Sequence, residues 1–295
     1  MILVTGGAGV MGTELVKGLI ERGFEVRVLD RPGTSIEGVD VELRHGDVSD
    51  PKTLEGAFEG VDMVYHLAAV IIAHDPKVFQ IVNTGGTRNM VEGAIAAGVK
   101  HFVFVSSASV LYPFTTPYSE SKRECERIVS SQTAMKYTII RPTLAYNEHG
   151  GLEFRMFLDY LEQFPIVPFI GTGKSLKNPV HVDDLLKGFL AVAGNPQALD
   201  KTYNFSGGES IPIWDLAKLM LKHRGKQRPF VPIPIWACRV MAKGMALVME
   251  KPPLTWNVIA GIIQDANLDH SDATRDLGYE PIGIRQGLEQ IWPVK

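Results

Sequence analysis

Short apolar, β-branched runs alternate with segments of helical length along most of the chain, and this alternation constrains the fold more than any other feature. Parallel strands need long crossover connections, usually helices, so the pattern predicts a parallel sheet covered on both faces. Either an open α/β sheet or a barrel satisfies it. The runs are Ile2–Thr5, Val26–Leu29, Met63–His66, Phe102–Val105, Tyr137–Ile140 and Thr202–Phe205. The helical segments include Gly12–Glu21, Gly86–Ala97, Tyr118–Ser130 and Asp183–Ala193.

Pro and Gly become frequent in the second half of the chain, where QFPIVPFIGTGKSLKNP and RGKQRPFVPIPI interrupt the alternation. Helices are predicted near 213–223 and 236–250, without strands beside them. We therefore predict a main sheet domain formed by residues 1–145 with 180–225 interleaved. A smaller, irregular lobe is predicted from residues 146–179 and 226–295.

Composition excludes several classes of protein. Apolar residues make up 45% and charged residues 21% of the 295 residues, as in an ordinary globular chain. The formal net charge is -3 and no Lys/Arg run stands out, so no nucleic-acid partner is expected. Cys125 and Cys238 are too few and too far apart for a disulfide framework. The eight histidines show no metal-binding spacing, so no metal is expected.

No segment predicts insertion into a membrane. The N-terminal MILVTGG lacks a basic region, and its apolar run ends after the length of a strand, unlike a signal peptide. The apolar stretch 232–249 is interrupted by Arg239 and Lys243 before it reaches spanning length. A cytoplasmic protein is therefore expected.

Gly6, Gly9 and Gly12 follow the first predicted strand in ILVTGGAGVMG and open the first predicted helix. Such a turn lets the backbone approach a pyrophosphate, whose charge is met by the free N–H groups at the helix N-terminus. This context predicts a dinucleotide site. Asp30 ends the second strand, where a carboxylate binds the adenosine ribose and repels a 2′-phosphate, so NAD is favoured over NADP. Alternatively, Asp30 and Arg31 only start a turn.

Tyr118 and Lys122 in YSESK lie four positions apart in a predicted helix and therefore share a face. A nearby ammonium lowers the pKa of a phenol, so the tyrosine can exchange a proton with a substrate alcohol or carbonyl. Ser106 and Ser107 end a strand upstream, at the carboxyl edge where open α/β sheets bind ligands. Each feature alone is common on solvated helices and strand ends, and it is their order along one sheet that indicates a catalytic site.

Together these motifs resemble the short-chain dehydrogenases/reductases, and within them the extended subgroup that includes nucleotide-sugar epimerases and hydroxysteroid-dehydrogenase-like enzymes. The resemblance covers nearly the whole chain. It implies a Rossmann-type doubly wound parallel sheet with a C-terminal substrate-binding lobe, an NAD cofactor and a small-molecule substrate. It also implies a homodimer formed through the helices around Gly86–Ala97 and Ser119–Ser131. The motifs are TGGAGVMG, HGDVSD, YHLAA, VNTGGTRNM, VSSAS, YSESK, IIRPTLAY, NPVHVDDL and YNFSGGESI.

The resemblance implies roles for individual residues. Tyr118 is the general acid/base, and Lys122 is its partner and a nicotinamide-ribose ligand. Ser107, rather than Ser106, holds the substrate oxygen, and Asn83 lies on a helix near the site. Besides Tyr118 and Lys122, the implied cofactor contacts are Gly6, Gly9, Val10, Met11 and Gly12 in the turn, Asp30 and Arg31 at the ribose, Asp47 and Val48 at the adenine, Leu67, Ala68 and Ala69 near the phosphates and ribose, and Pro142 and Thr143 by the nicotinamide.

Departures from the family pattern bear on the substrate. The loop between Ser107 and Tyr118 is short for a sugar epimerase, and no R-x-G-D stretch precedes DHSDATRDLGYEP, where those enzymes bind the sugar-nucleotide diphosphate. Ala108 and Ser109 replace the Asp-Glu pair of the dehydratases. We therefore expect an NAD-dependent oxidoreductase acting on a secondary alcohol or ketone of a steroid- or isoprenoid-like compound. The alternatives are a nucleotide-sugar epimerase with retained NAD and a non-catalytic NAD-binding scaffold subunit.

Large apolar side chains are concentrated between residues 230 and 249, where a helix would leave only a narrow polar stripe of Arg239, Lys243 and Glu250. Packing in the core of the small lobe is the first interpretation, because Met and aromatic stripes at helical spacing are usually core. A lipophilic substrate pocket and a helix lying on a membrane surface are the alternatives. The apolar residues are Phe230, Ile233, Ile235, Trp236, Met241, Met245 and Met249.

Overall fold

A sheet of seven parallel strands forms the centre of the computed structural model, which describes residues 1–148, 151–250 and 252–293. The strands of the chain are β1 (Ile2–Thr5), β2 (Val26–Asp30), β3 (Glu42–His45), β4 (Met63–His66), β5 (His101–Val105), β6 (Lys136–Pro142), β7 (Ala145–Tyr146), β8 (Val167–Ile170), β9 (Leu176–Lys177), β10 (Val180–His181), β11 (Lys201–Phe205), β12 (Ile211–Pro212) and β13 (Phe230–Ile233). The central sheet has the order β3-β2-β1-β4-β5-β6-β11. Its outer strands do not pair with each other, so it is an open sheet and not a barrel.

Helices cover both faces of this sheet and continue into the second half of the chain. They are α1 (Val10–Glu21), α2 (Gly86–Ala96), α3 (Pro117–Ser131), α4 (Leu152–Gln163), α5 (Val182–Val192), α6 (Ile213–His223), α7 (Ile235–Val248), α8 (Trp256–Ile263), α9 (Ser271–Leu277) and α10 (Ile284–Ile291). The predicted strands and helices are all present, and the doubly wound α/β prediction is confirmed. Strand order reverses between β1 and β4, where open sheets of this kind bind ligands.

The structure contains elements that were not predicted, among them β12 and β13, which come just before α6 and α7 although no strands were expected beside those helices. Two other unpredicted elements bear on the central sheet and the site. β3 has the sequence ELRH, and its side chains are exposed or half-buried because it is an edge strand, so it carries no apolar run. A π-helical segment, Phe79–Gly85, runs directly into α2 and contains Asn83. Such segments are rare and frequently occur at functional sites.

The core consists of two apolar clusters that include residues of the central sheet, and of further clusters in the lobe. Tyr65 and Phe205 are buried in the first cluster, and Phe102 and Ile139 in the second. The third cluster joins α4, α6 and α10. α6 therefore packs with the lobe, although its position in the chain predicted that it belongs with the main domain.

α7 does not have the environment that was expected of it. Core packing was the first interpretation of its apolar residues, but Cys238 is its one fully buried side chain. The inner face of α7 packs against α8 and β8, while large apolar side chains on its outer face are exposed. The core interpretation is therefore wrong for that outer face.

Within the described ranges, no helix is long and apolar enough to cross a bilayer. Over the same residues, no group of three or more His, Cys, Asp or Glu side chains could hold a metal ion.

Candidate active site

A tight glycine turn joins β1 to α1. Gly6 has a positive φ of 71°, and a side chain there would place its Cβ 2.9 Å from the backbone nitrogen of Ala68. A Cβ on Gly12 would lie 2.2 Å from the carbonyl oxygen of Gly6. Both positions therefore require glycine, and the turn lies directly against the segment that follows β4.

The N-terminus of α1 opens from this turn. Gly9 is its N-cap, and the N–H groups of its first turn, including those of Val10 and Met11, lie at the positive end of the helix dipole. Val10 is exposed, and Met11 packs against the first core cluster. A pyrophosphate fits here, because backbone donors would meet its charge and the glycines allow close approach.

The carboxylate of Asp30, at the end of β2, closes the same turn. Its Oδ2 accepts a hydrogen bond from the N–H of Ala8 at 2.8 Å, and its Oδ1 accepts one from the N–H of Arg31 at 2.8 Å. Each carboxylate oxygen can accept a second hydrogen bond, so Asp30 can still bind a ribose hydroxyl. The residues of this turn therefore fit a dinucleotide.

The segment after β4 extends the same surface. The N–H of Leu67 donates to the carbonyl of Thr5 at 3.1 Å, and the N–H of Ala68 donates to the Thr5 Oγ1 at 3.3 Å. Ala69 follows and is half-buried. These contacts hold the backbone of residues 67–69 beside the glycine turn.

Asp47 and Val48 follow β3 near the other end of this surface. The Asp47 Oδ1 accepts hydrogen bonds from the Ser49 hydroxyl at 2.7 Å and the Ser49 N–H at 2.8 Å, and these bonds lower the pKa of the Asp47 carboxyl. The Val48 side chain is buried against Gly86 at the start of α2. Contact with an adenine would therefore come from Asp47 and the backbone rather than from the Val48 side chain.

A capping box at the start of α3 fixes the position of Tyr118. The Thr116 Oγ1 accepts from the N–H of Ser119 at 3.1 Å, and the Ser119 Oγ accepts from the N–H of Thr116 at 2.8 Å. Pro117 occupies the first turn, where its missing N–H has no cost. The half-buried Tyr118 ring meets Phe79 edge-on, with ring centroids 6.0 Å apart.

Ser107 lies next to Tyr118. It is the N-cap of a short 3-10 turn after β5, and its Oγ lies 2.9 Å from the Oγ of Ser109. A hydrogen bond between Ser107 and Tyr118 lowers the pKa of the phenol. One small substrate oxygen could thus contact both hydroxyls.

Ser106 is held elsewhere. Its hydroxyl donates to the Glu126 Oε1 at 2.6 Å, and the same oxygen accepts from the Arg141 Nε at 2.8 Å. Sequence analysis did not identify Glu126, although its position four residues after Lys122 places both on one helix face. The Ser106 hydroxyl is therefore used in holding this buried ion pair. Ser107 is the serine beside Tyr118.

The ammonium of Lys122 is buried beneath the site. Its Nζ donates to the carbonyl of Val105 at 2.8 Å and lies 4.8 Å from the ring centroid of Phe104. Burial lowers the pKa of Lys122 to about 8, although Cys125 and Glu126 act to raise it. Lys122 is therefore a cation below that pH and partly neutral above it.

The pKa of Tyr118 is raised above its usual value, whereas a lowered pKa was expected. Burial raises it, the charge of Glu153 raises it further, and the Ser107 hydroxyl lowers it. The expectation that Lys122 lowers this pKa is not met in this structure, because its ammonium donates to Val105 at the sheet edge. The phenol is therefore protonated at neutral pH.

Glu153, in the first turn of α4, was missed by sequence analysis. Solvent reaches its side chain, yet desolvation by the surrounding protein raises its pKa, and its charge raises the pKa values of Tyr118 and Tyr112. The Glu153 carboxylate is therefore close enough to both phenols to act on them electrostatically. No local pattern marked Glu153, because acidic residues are ordinary in the first turn of a helix.

Asn83 is buried and fully engaged. Its Oδ1 accepts from the N–H of Val70 at 2.8 Å, and its Nδ2 donates to the Val70 carbonyl at 3.0 Å and to the Ser121 Oγ at 3.1 Å. Both N–H bonds of the amide are thereby used. Asn83 positions the loop after β4 against α3, and the role near the site that the resemblance implies for it stays a prediction.

Pro142 and Thr143 lie at the carboxyl end of β6. The Thr143 hydroxyl donates to the Asn178 carbonyl at 2.7 Å, and its N–H donates to the Phe205 carbonyl at 3.0 Å. The Thr143 side chain therefore ties the sheet edge to the lobe, and its contact with a nicotinamide stays a prediction. Pro142 is half-buried at this edge.

Comparison with known proteins places this site in a family. The model of the NAD dependent epimerase/dehydratase family matches residues 2–206. The chain belongs to this family. It is 28% identical to the 3 beta-hydroxysteroid dehydrogenase/Delta 5-->4-isomerase of Mycobacterium tuberculosis over 99% of this chain and 89% of that protein. It is 25% identical to the UDP-glucose 4-epimerase of Vibrio cholerae over 98% of this chain and 93% of that protein.

Solved structures share the fold of this chain. A dTDP-glucose 4,6-dehydratase of Streptomyces venezuelae, crystallised with NAD, superposes with a TM-score of 0.77 at 22% identity, covering 99% of this chain and 95% of that one. The curated relatives thus include a dehydrogenase and an epimerase. Membership in this family establishes an enzyme that uses a nicotinamide cofactor and acts on a small molecule, and leaves the reaction to be argued from the site.

Proposed function

We propose that this enzyme is an NAD-dependent oxidoreductase that transfers hydride at a secondary alcohol or ketone of a lipophilic, steroid- or isoprenoid-like substrate. The observation that carries the proposal is a set of exposed apolar side chains, here called the apolar rim, on segments next to Asn83 and Tyr118 in the chain and on α8, and we place the substrate cleft between them. Exposed apolar side chains come from the loop after β4, the loop before α3, and α8. They are Ile71, Ile72, Leu111, Phe114 and Trp256.

The rim joins the two parts of the molecule. The rings of Phe114 and Trp256 meet edge-on with centroids 5.4 Å apart, and the N–H of Phe114 donates to the Gln264 Oε1 at 3.1 Å. Phe114 lies between Ser107 and Tyr118 in sequence, so this contact joins apolar surface of the lobe to the loop between the two proposed reacting residues. A lipophilic substrate would be desolvated there.

The charge of the cleft also supports a lipophilic substrate. Glu153 places a carboxylate close enough to Tyr118 to raise its pKa. A nucleotide sugar carries a diphosphate, and like charges repel in a partly desolvated cleft. The similarity to a hydroxysteroid dehydrogenase agrees with this reading.

The chain's own groups can handle the proton. Bound NAD supplies the hydride acceptor at its nicotinamide, and the glycine turn, Asp30 and Lys122 would hold it. Tyr118 exchanges a proton between its Oη and the substrate oxygen, and the Ser107 Oγ donates a hydrogen bond to that oxygen. The Ser107 hydroxyl favours the phenolate form by lowering the pKa of Tyr118, and Lys122 is a cation beneath the site below its pKa of about 8.

We infer that NAD is preferred over NADP, because the Asp30 carboxylate would repel a 2′-phosphate. Asp30→Ala should weaken NAD binding and reduce the preference for NAD over NADP. Arg31 would then be free to attract the 2′-phosphate of NADP. Titration of both dinucleotides by fluorescence measures the ratio of affinities. An unchanged ratio would show that Asp30 serves only the turn.

The proposed reaction is tested by incubating the protein with NAD and a panel of hydroxysteroids and long-chain secondary alcohols while following NADH absorbance. Tyr118→Phe should reduce turnover by about 10²–10⁴-fold and preserve NAD binding. Tyr112→Phe is the matched control, since Tyr112 is a second buried phenol affected by Glu153 and should retain most activity.

The second candidate function is that of a nucleotide-sugar epimerase, and the similarity to UDP-glucose 4-epimerase favours it. Such an enzyme oxidises and re-reduces one substrate and shows no net NADH. Freshly purified protein would be denatured and the released nucleotide identified. Tightly held NAD, with conversion of UDP-glucose and no NADH from lipophilic alcohols, would replace the oxidoreductase proposal.

A further inference from the structure

α7 is apolar on both faces, but only one of them is covered. Cys238 and Ala242 lie on its inner face, packed with Ile259 of α8. Trp236, Val240 and Leu247 recur at helical spacing on the opposite face and are 70%, 63% and 87% exposed. We call these three residues the outer stripe.

An exposed stripe of this kind needs a partner. Single exposed apolar residues are normal, but a contiguous set on one helix face marks an interaction surface. A helix that is apolar all round is normally buried on every side. Val248 and Met249 extend the exposed apolar surface beyond the stripe.

Charge identifies the partner. Although the chain has a net charge of -3, residues 216–249 contain seven Lys and Arg and not one Asp or Glu. Arg224 and Lys226 pair with Glu162, which offsets part of this charge. The seven are Lys218, Lys222, Arg224, Lys226, Arg228, Arg239 and Lys243. An apolar helix face joined to a basic segment complements an anionic lipid surface.

A second copy of the chain would fit this surface less well. Lys243 lies along the outer stripe between Val240 and Leu247, and Arg239 is in the adjacent turn. In a two-fold dimer the same patch of both copies would be in contact, so Arg239 and Lys243 of one copy would lie against the same cations of the other and repel them. At a bilayer, a long lysine side chain instead extends its ammonium to the head groups.

We propose that the outer stripe, with Arg239 and Lys243 of α7 and the basic residues that precede them in the chain, docks the protein on the surface of an anionic phospholipid bilayer. α7 would lie in the interface without crossing it. The Arg239 guanidinium lies 4.6 Å from the ring centroid of Trp256, and Trp256 contacts Phe114 at the cleft. Docking would thus bring the bilayer close to the cleft rim, although the docking itself does not depend on the proposed reaction.

Vesicle co-sedimentation tests the proposal. The full chain should pellet with vesicles of equal parts phosphatidylcholine and phosphatidylglycerol, and much less with phosphatidylcholine alone or at high salt. The double variant Trp236→Ser/Leu247→Ser should lose this binding. Lys243→Glu should weaken it on the anionic vesicles. The matched controls, Ile81→Ser and Lys52→Glu, change exposed residues on other elements and should bind as wild type does.

Trp236→Phe offers a second readout. It keeps an apolar side chain, so it should bind the anionic vesicles, while quenching of tryptophan fluorescence by brominated lipid should fall relative to wild type. Circular dichroism and NAD binding of each variant establish that it is folded. Wild-type protein that stays in the supernatant, or a folded double variant that pellets unchanged, overturns the proposal. So does a wild-type dimer that becomes monomeric in the double variant, since the stripe would then be an interface between two copies.

Discussion

Lys122 is a cation held in a largely apolar enclosure. Its side chain is 3% exposed, and burial lowers its pKa to about 8. An ordinary lysine has a pKa of 10.5. This difference measures how strongly the fold disfavours the charge that the proposed chemistry uses, so Lys122 is a place where function and stability are opposed.

Lys122→Met should therefore stabilise the protein while abolishing turnover. The lowered pKa corresponds to about 3 kcal/mol of destabilisation at neutral pH, and leaving the Val105 carbonyl without its donor costs about 1 kcal/mol, so the net gain is about 2 kcal/mol. Urea unfolding at neutral pH measures it. Because the lowered pKa makes wild type more stable as pH rises from about 8 to about 10.5, the gain should shrink across that range.

Arg123→Met is the control for Lys122→Met. Arg123 is on the same helix as Lys122, and its partly exposed guanidinium donates two hydrogen bonds to the Val110 carbonyl. Because this cation is not desolvated, removing it should destabilise the protein slightly. Equal stabilisation by both variants would show that burial of Lys122 is not the cause.

Glu153→Gln should move the pH profile of alcohol oxidation. Oxidation needs Tyr118 in its unprotonated form, and the Glu153 charge raises the pKa of Tyr118. Removing the charge lowers that pKa, so the rise of kcat should occur at lower pH. Glu120→Gln, an exposed glutamate in the first turn of α3, should leave the profile in place. A profile that does not move, or moves to higher pH, contradicts a carboxylate facing Tyr118.

At the level of elements, the apolar pattern predicted every strand of the central sheet except β3. Four of these strands are buried apolar runs, as a parallel sheet covered on both faces requires, and their sequences are apolar throughout most of their length. They are β1, β2, β4 and β5. β3 could not be predicted in the same way, because an edge strand satisfies its backbone on one side and keeps polar side chains. The exposure of the outer face of α7 could not be predicted from the sequence either, because an apolar helical pattern usually indicates a core helix.

The site follows the same division. Gly6, Gly12 and Tyr118 were recognisable because each is required by a local geometry or spacing. The partners that decide how the site works, such as Glu126 beneath Ser106 and Glu153 near Tyr118, come from other elements. Their roles depend on tertiary packing, which one sequence does not encode in any local pattern.

Thr116→Ala should loosen α3 at its start. The capping box satisfies two backbone N–H groups, and losing the Thr116 hydroxyl should cost about 1 kcal/mol. Because Tyr118 lies in the first turn, kcat should also fall, whereas NAD affinity should change little. Thr116→Ser keeps the cap and should restore both stability and kcat. Failure of the serine variant to do so would show that the threonine methyl, and not the cap, matters.

On the scale of the whole molecule, two neutral histidines lie inside the sheet. The His66 Nδ1 is 2.7 Å from the Thr5 Oγ1 and its Nε2 is 3.1 Å from the Thr87 Oγ1, while the His101 Nε2 is 2.8 Å from the Thr138 Oγ1. Burial, with a smaller effect from Lys122, lowers the pKa of His66 to about 3. Burial lowers that of His101 to about 4, although Asp200 acts to raise it.

These histidines predict a loss of stability in weak acid. Both pKa values lie below the ordinary 6.5, so the unfolded chain takes up protons first, and the stabilisation present above that pH is lost as pH falls toward 4 and 3. Each group should contribute up to about 1.4 kcal/mol per pH unit. In urea unfolding between pH of about 6 and about 5, above the ordinary carboxyl pKa values of about 4, His66→Gln should remove a large part of the slope, while His101 and His270, whose pKa values are also lowered by burial, account for more of it. His45→Gln, at an exposed position, should leave the slope unchanged, and an equal slope in His66→Gln would mean that His66 already carries its proton in the folded protein.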